Sequence, residues 1–332
     1  MIKAYFIIFL LIVAVSFFSA RIIFEKKRGF FRFAGLEVFV LGVMFSFVFP
    51  QENLLENLYP FIALAISFAG FSFGIQFERR VLKSISTKYI FYGFITSLNF
   101  FVLLFVLHFF YPFPTAIFLS AIFSIPSSSI LFSVRENKIL VVSGELSIAL
   151  VLVYYGITMY GFRGLLISIA LSSVGFLIVL FERILKKVEL YVLVFGLLLF
   201  VASLSQLFNT SIILSSLFTG FIVAIFPTQN YSSAVMNKVE QPLFLSLLFS
   251  SGLFFSFNGF LGLLIFFIAY PFIRFSFVFP LFKKKGIFLI PIGALSIALS
   301  IEIKTPLYIM FTAVSYFVLL ALFEFMREKW AT

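Results

Sequence analysis

The chain has 332 residues, of which 63% are hydrophobic and only 11% charged, with a mean hydropathy of +1.19. A soluble domain carries about 25% charged residues, so this composition excludes a water-exposed globular surface, and with it a nucleic-acid-binding face despite the net charge of +11. No cysteine is present, which removes disulfides, thiolate nucleophiles and sulfur-ligated zinc or iron-sulfur centres.

Apolar segments long enough to cross the hydrocarbon as helices recur from end to end. In chain order they are Ala4 to Ala20, Phe33 to Pro50, Leu58 to Phe77, Tyr89 to Tyr111, Thr115 to Val134, Ile139 to Met159 and Gly164 to Phe181. Leu190 to Phe208, Ser211 to Pro227, Gln241 to Phe257, Phe260 to Phe282, Ile287 to Ile303 and Leu307 to Phe325 follow. The first has only Lys3 before it, is too long for an h-region and lacks a convincing cleavage site, so it reads as a span and not a signal peptide. The connections are short and no linker interrupts them. The fold class expected is therefore all-α: one polytopic transmembrane domain over residues 1–332, with about thirteen spans.

Basic residues give the spans a direction, because cytoplasmic loops accumulate Lys and Arg. The loops after the odd-numbered spans hold nearly all of them. Only Lys3, Arg163 and Lys304 fall on the other side, and Arg274 lies inside a span. The expected topology is a multi-pass protein of the cell membrane with its N-terminus outside and its C-terminus in the cytoplasm. The 55 phenylalanines need no functional reading, since Phe partitions well into lipid. Asn209-Thr210-Ser211 and Asn230-Tyr231-Ser232 match the glycosylation acceptor pattern but lie too near the membrane, or on the wrong side, to be used.

A charge in hydrocarbon costs several kcal/mol, so an ionisable residue deep in a span is a functional candidate. Glu145 in the sixth span and Arg274 in the eleventh each lie about 10 to 12 Å from the cytoplasmic end of their helix. At matching depth they can pair, which keeps both ionised. The pair either serves ion coupling or only pins two helices together. Glu37 and Glu302 are nearer span ends and are expected to reach water. His108, the sole histidine, is expected to be interfacial.

Two spans carry helix-breaking sequence. Ser124-Ile125-Pro126-Ser127-Ser128-Ser129 interrupts the fifth (115–134), and Ile290-Pro291-Ile292-Gly293 the twelfth (287–303). Both breaks fall toward the cytoplasmic side, although the two spans run in opposite directions. Interrupted helices in corresponding positions of two halves point to a transporter site, where freed backbone groups face an ion or substrate. Each interrupted span is also adjacent in sequence to the helix carrying Glu145 or Arg274, the symmetry of an inverted repeat.

Four stretches carry a family resemblance. Phe68 to Ile75 followed by Glu78-Arg79-Arg80 is similar to an "AGLEL" segment with a basic tail, and Leu214 to Ala224 is similar to "lgAFlAGl". Phe244 to Phe257 is similar to "FFvlfGl", and Pro291 to Leu299 to "prGalslal". In this order and spacing the chain resembles the monovalent cation:proton antiporters, the sodium/proton exchanger group, over nearly its full length. The resemblance implies a homodimer in which core helices, here within 58–159 and 241–325, move against the remaining dimerisation or scaffold helices. It implies two broken crossing helices, the fifth and twelfth spans, and an intramembrane basic residue, Arg274. The family's ion-binding aspartate is absent, since all 13 acidic residues are glutamates. Either Gly144-Glu145-Leu146 replaces the "Q-D-L" pattern and Glu145 the carrier acid, or Glu145 opens an "E-x-x-x-N-D" pattern in which Ala149-Leu150 replace the ion-binding pair. The fifth span also has Pro126-Ser127-Ser128 where many members have Thr-Asp-Pro.

The function expected is secondary transport that exchanges a monovalent cation, sodium or potassium, for protons across the bilayer. Glu145 would bind ion and proton in turn, Ser127, Ser128 and Ser129 would add oxygen ligands, Arg274 would supply the supporting charge, and Pro126, Pro291 and Gly293 would form the breaks. The alternative is a transport-inactive homologue with a binding or regulatory role, in which Glu145 and Arg274 are a structural pair. No metal, cofactor or nucleic acid is expected. An enzyme is not expected either, because no metal-ligand cluster, nucleotide loop or pair of carboxylates in one span is present.

Overall fold

The computed structural model describes residues 35–48, 51–77, 98, 100–124, 138–182, 184–226, 231–254, 294–303, 308–309 and 312–319. Among them the chain is helical, with no strand. In order the helices are α1 (Leu36–Val48), α2 (Gln51–Ile75), α3 (Phe113–Ser124), α4 (Lys138–Leu171), α5 (Val174–Glu182), α6 (Lys187–Leu207), α7 (Ile212–Ile225), α8 (Tyr231–Leu253) and α9 (Ala294–Glu302). Residues 100–108 and 312–319 are helical as well. The expected spans one and eleven lie outside the described residues.

Among the described residues three helical runs are long and apolar enough to cross a membrane, Leu58–Ile75, Ala149–Glu182 and Val188–Leu207, and shorter apolar helices accompany them. Their outward faces suit hydrocarbon. In the 100–108 helix, Phe101 and Phe105 are exposed one turn apart while Phe100, Leu103 and Leu107 are buried. In α6, Val188 and Val192 are exposed while Leu190, Val194 and Leu198 are buried. A helix apolar on both faces, with only one of them packed, is built for lipid and not for water.

Helix limits depart from the sequence expectation where hydropathy and helicity part company. α2 begins at Gln51 and not at Leu58, and α8 at Tyr231 and not at Gln241. Hydropathy marks where apolar character starts, whereas a helix can continue through polar residues beyond it. The boundary between the sixth and seventh expected spans is a kink inside α4 at Gly161, with φ 70° and ψ 175°. That conformation is essentially restricted to glycine. The seventh span is not continuous, because α4 and α5 are separated at Ser172-Ser173. The Ser172 hydroxyl donates to the Ile169 carbonyl at 2.5 Å, a local bond that competes with the helix ladder. Just beyond, Gly175 sits close to α7, where a Cβ would lie 2.8 Å from the Thr219 carbonyl oxygen.

In lipid no hydrophobic force draws helices together, so contact depends on small residues that let backbones approach. Two crossings show this. In α2 against α7, a Cβ on Gly74 would collide with the Leu217 carbonyl oxygen and lie 3.0 Å from Gly220 Cα, and a Cβ on Gly220 would collide with the Phe71 carbonyl oxygen. In α1 against α8, a Cβ on Gly42 would collide with the Phe249 carbonyl oxygen, and one on Gly252 with that of Phe39. Buried hydroxyls at these depths bond to carbonyls: Thr219 donates to Ser215 O at 2.7 Å within α7, and Ser67 of α2 donates to Leu198 O of α6 at 3.1 Å.

Candidate functional site

Of the residues singled out in the sequence, Glu145 lies on the first half of α4, but its side chain is outside the described residues. So are Ser127, Ser128, Ser129, Arg274, Pro126, Pro291 and Gly293. α3 is described up to Ser124 and α9 from Ala294, so each candidate break lies beside a described helix. Glu37 is exposed and so is His108, whose ring meets Phe113 edge-on at 5.5 Å. Glu302 does not reach water: it is 8% exposed. That corrects the expectation drawn from its position near a span end, and the reason is visible in its partners.

α9 ends at Glu302, and the carboxylate meets the N-terminus of α7. Oε1 accepts from the Ile212 backbone N–H at 2.8 Å, and Oε2 lies 3.4 Å from the Ile213 N–H. The Tyr160 hydroxyl donates to Oε1 at 3.4 Å. The Ser211 hydroxyl donates to the carboxylate and also caps α7, accepting from the Leu214 N–H at 3.2 Å. The first amides of a helix have no partner within it and carry the positive end of its dipole. Glu302 and Ser211 between them satisfy the amides of Ile212, Ile213 and Leu214. A buried carboxylate is costly unless it is richly hydrogen-bonded, and here donors converge on it from two helices.

A second layer of hydroxyls surrounds this contact. The Tyr155 and Tyr160 hydroxyls are hydrogen-bonded, with ring centroids 6.3 Å apart, and Phe118 of α3 packs edge-on to Tyr155 at 5.0 Å. Tyr59, near the start of the apolar part of α2, bonds Gln206 near the end of α6. Asn209 turns the chain between α6 and α7 with φ 50°, and the Thr210 N–H donates to Ser205 O at 2.8 Å. The Asn209-Thr210-Ser211 pattern is thus explained by a turn followed by an N-cap. The N-terminal end of α7 and the C-terminal ends of α6 and α9 meet at one end of the bundle, as alternating spans require.

At the other end of α9 lies a cleft. It is lined by Phe68, Ser72 and Phe73 of α2, Gln76 just after it, Leu247 of α8 and Leu295 of α9. Leu295 and Glu302 are seven positions apart on one helix, about 10 Å at the helical rise. The cleft therefore lies toward the end where α9 follows the Pro291-Ile292-Gly293 sequence, and the carboxylate contact lies toward the opposite end.

The Glu302 contact left two signals in the sequence. An acid in the last turn of a helix opposes that helix's own dipole, which calls for a donor from elsewhere. Ser211 opens an apolar run as an N-cap, but the position that would complete a capping box is Leu214. An acid and a helix start each lacked a local partner.

No family model and no curated protein matches the chain. Among solved structures it is similar to the sodium proton antiporter of Methanocaldococcus jannaschii at pH 8, with a TM-score of 0.66 and 15% identity, covering 100% of this chain and 98% of that one. At this identity the likeness is one of fold, and it extends over nearly the whole of both chains: the chain, helical among its described residues, is a membrane protein with the fold of a sodium/proton antiporter.

Proposed function

We propose that the chain is a secondary transporter that exchanges a monovalent cation, sodium or potassium, for protons. The observation that carries the reading is the full-length likeness in fold to a protein described as a sodium proton antiporter. In this reading Glu145, on α4, is the acid that takes ion and proton in turn. Ser127, Ser128 and Ser129 contribute oxygen ligands at the first break, Pro291 and Gly293 form the second, and Arg274 balances the charge. The protein sits in the cell membrane as a homodimer of thirteen-span chains, N-terminus outside, with core helices within 58–159 and 241–325.

The inverted repeat has support of its own. The sequence interval from Gly42 to Gly220 equals that from Gly74 to Gly252. The crossing of α1 on α8 through Gly42 and Gly252 therefore matches that of α7 on α2 through Gly220 and Gly74. Exchanging the halves carries one contact onto the other.

The test is ion-dependent proton movement in proteoliposomes. An imposed pH gradient should be dissipated by sodium, potassium or lithium with the wild-type protein and not with Glu145→Gln. A gradient indifferent to all three cations in wild type would refute the reading. A second reading, a transport-inactive homologue in which Glu145 and Arg274 are a structural pair, is favoured by the complete absence of aspartate. It expects no flux in wild type and a loss of stability in Glu145→Ala.

A further inference from the structure

We propose that Glu302 is a latch: its carboxylate, seated on the N-terminus of α7, holds the bundle closed at the end opposite the cleft, and it must leave that seat for this end to open.

Three features carry this. The first is what the carboxylate touches. Its partners are the Ile212 and Ile213 amides and the Ser211 and Tyr160 hydroxyls, all donors, at the positive end of a helix. Such a setting binds an anion and repels a cation, so Glu302 is placed to hold helices together and not to carry the transported ion. The second is where the contact lies in the fold. It joins α9 to the start of α7, and Tyr160 brings α4 to the same atom. α7 is itself fixed to α2 by the glycine crossing at Gly74 and Gly220. The contact thus ties α9 and α4 to the α2–α7 pair at one end of the bundle.

The third is the other end of α9. Leu295 lines the cleft there, between α2 and α8. A helix with a cleft beside Leu295 and a charged contact at Glu302, about two turns further on, is suited to tilt: if the contact parts, the Glu302 end moves away as the Leu295 end approaches α2 and α8. Alternating exposure of two ends is what the proposed exchange requires, and the latch rests on that reading for its purpose, though not for its existence.

The chain has no cysteine, so a single introduced thiol reports access without background. Thr210 is buried beside the latch, and Asn209 is exposed next to it. In nanodiscs, where both faces meet the buffer, the Thr210→Cys thiol should react slowly with a charged maleimide in the otherwise wild-type protein. In Glu302→Gln it should react about tenfold faster, since a hydrogen bond to a charged group shifts an equilibrium by about that factor. The Asn209→Cys thiol should react quickly and equally in both. Tyr160→Phe and Ser211→Ala, each removing one donor, should give smaller accelerations and serve if Glu302→Gln does not fold. Equal reactivity of the Thr210→Cys thiol in all folded backgrounds overturns the latch. The readout does not depend on ion flux: absence of exchange in wild type with latch-dependent labelling would refute antiport and leave the latch standing.

Discussion

Replacing Gly220 by alanine places one methyl group at the crossing of α2 and α7. Its Cβ would collide with the Phe71 carbonyl oxygen and lie 3.0 Å from Ile75 N and 3.1 Å from Gly74 Cα. All three are backbone atoms of α2, so no side-chain rotation relieves the clash and the two helices must move apart. Overpacking of this kind costs about 1–3 kcal/mol. Alanine also returns about 1 kcal/mol of helix propensity relative to glycine, leaving a net loss of up to about 2 kcal/mol. Gly196 in α6 is the control, because it is exposed and a Cβ there meets nothing within 4 Å. Gly196→Ala keeps the propensity gain without the clash and should be neutral or slightly stabilising. The assay is the fraction of protein that stays monodisperse on size exclusion after heating in one detergent. If Gly220→Ala survives heating as well as wild type and Gly196→Ala, the claim that backbone contact through small residues holds α2 to α7 is wrong.

The same reasoning expects Gly252→Ala to match Gly220→Ala in thermal loss, since its Cβ would strike the Phe39 carbonyl oxygen and lie 2.9 Å from Val43 N; a large difference between the two would count against equivalent crossings. Gly161→Ala has open space around it but must adopt φ 70° and ψ 175°, which costs about 1–3 kcal/mol and should appear in the same heating assay as a loss that Gly161→Asn repeats, because asparagine tolerates positive φ in the left-handed helical region and not at this ψ. Ser211→Ala removes an N-cap, typically about 1 kcal/mol, and also a donor to Glu302. It should therefore destabilise more in the Glu302 background than in Glu302→Gln, and additive losses in the double variant would show that the two side chains do not act together.

How much of this was legible in the sequence depended on whether the signal was local. The apolar stretch that became α6 and a span boundary between Met159 and Gly164 could be read from composition and spacing, because lipid imposes the same requirement on every crossing helix. The start of α2 at Gln51 could not, since hydropathy stops where apolar character stops. The split at Ser172-Ser173 escaped because two serines in an apolar run are ordinary in membrane helices, and what fixes the break includes the approach of Gly175 to α7, far away in sequence. Glu302 was misjudged for a similar reason. Distance from a span end measures depth along one helix, whereas burial depends on which helix end faces the acid. Glu145, by contrast, was singled out by depth alone, and its backbone position on α4 is what the described residues add.

In the proposed reading the two acids divide the work, Glu145 as carrier and Glu302 as latch. A carrier acid must exchange partners, so its surroundings cannot saturate it with fixed donors: a cation or proton has to compete for the same oxygens. Glu302 fails that requirement, because the Ile212 amide, the Ser211 hydroxyl and the Tyr160 hydroxyl already occupy its oxygens and the α7 dipole adds to the cost of a cation beside it. A latch has the opposite requirement, strong fixed partners in one state that are given up in the other. Substituting each acid by its amide separates these demands. Glu302→Gln keeps Ser211 as the α7 cap but loses the charge that suits the helix end, so it should raise access at Thr210 while leaving cation-dependent proton movement measurable, with an altered rate. Glu145→Gln should abolish proton movement and leave access at Thr210 as in wild type. If instead Glu302→Gln abolished all cation-dependent proton movement without changing access, the carrier role would pass to Glu302 and the assignment of both residues would be reversed.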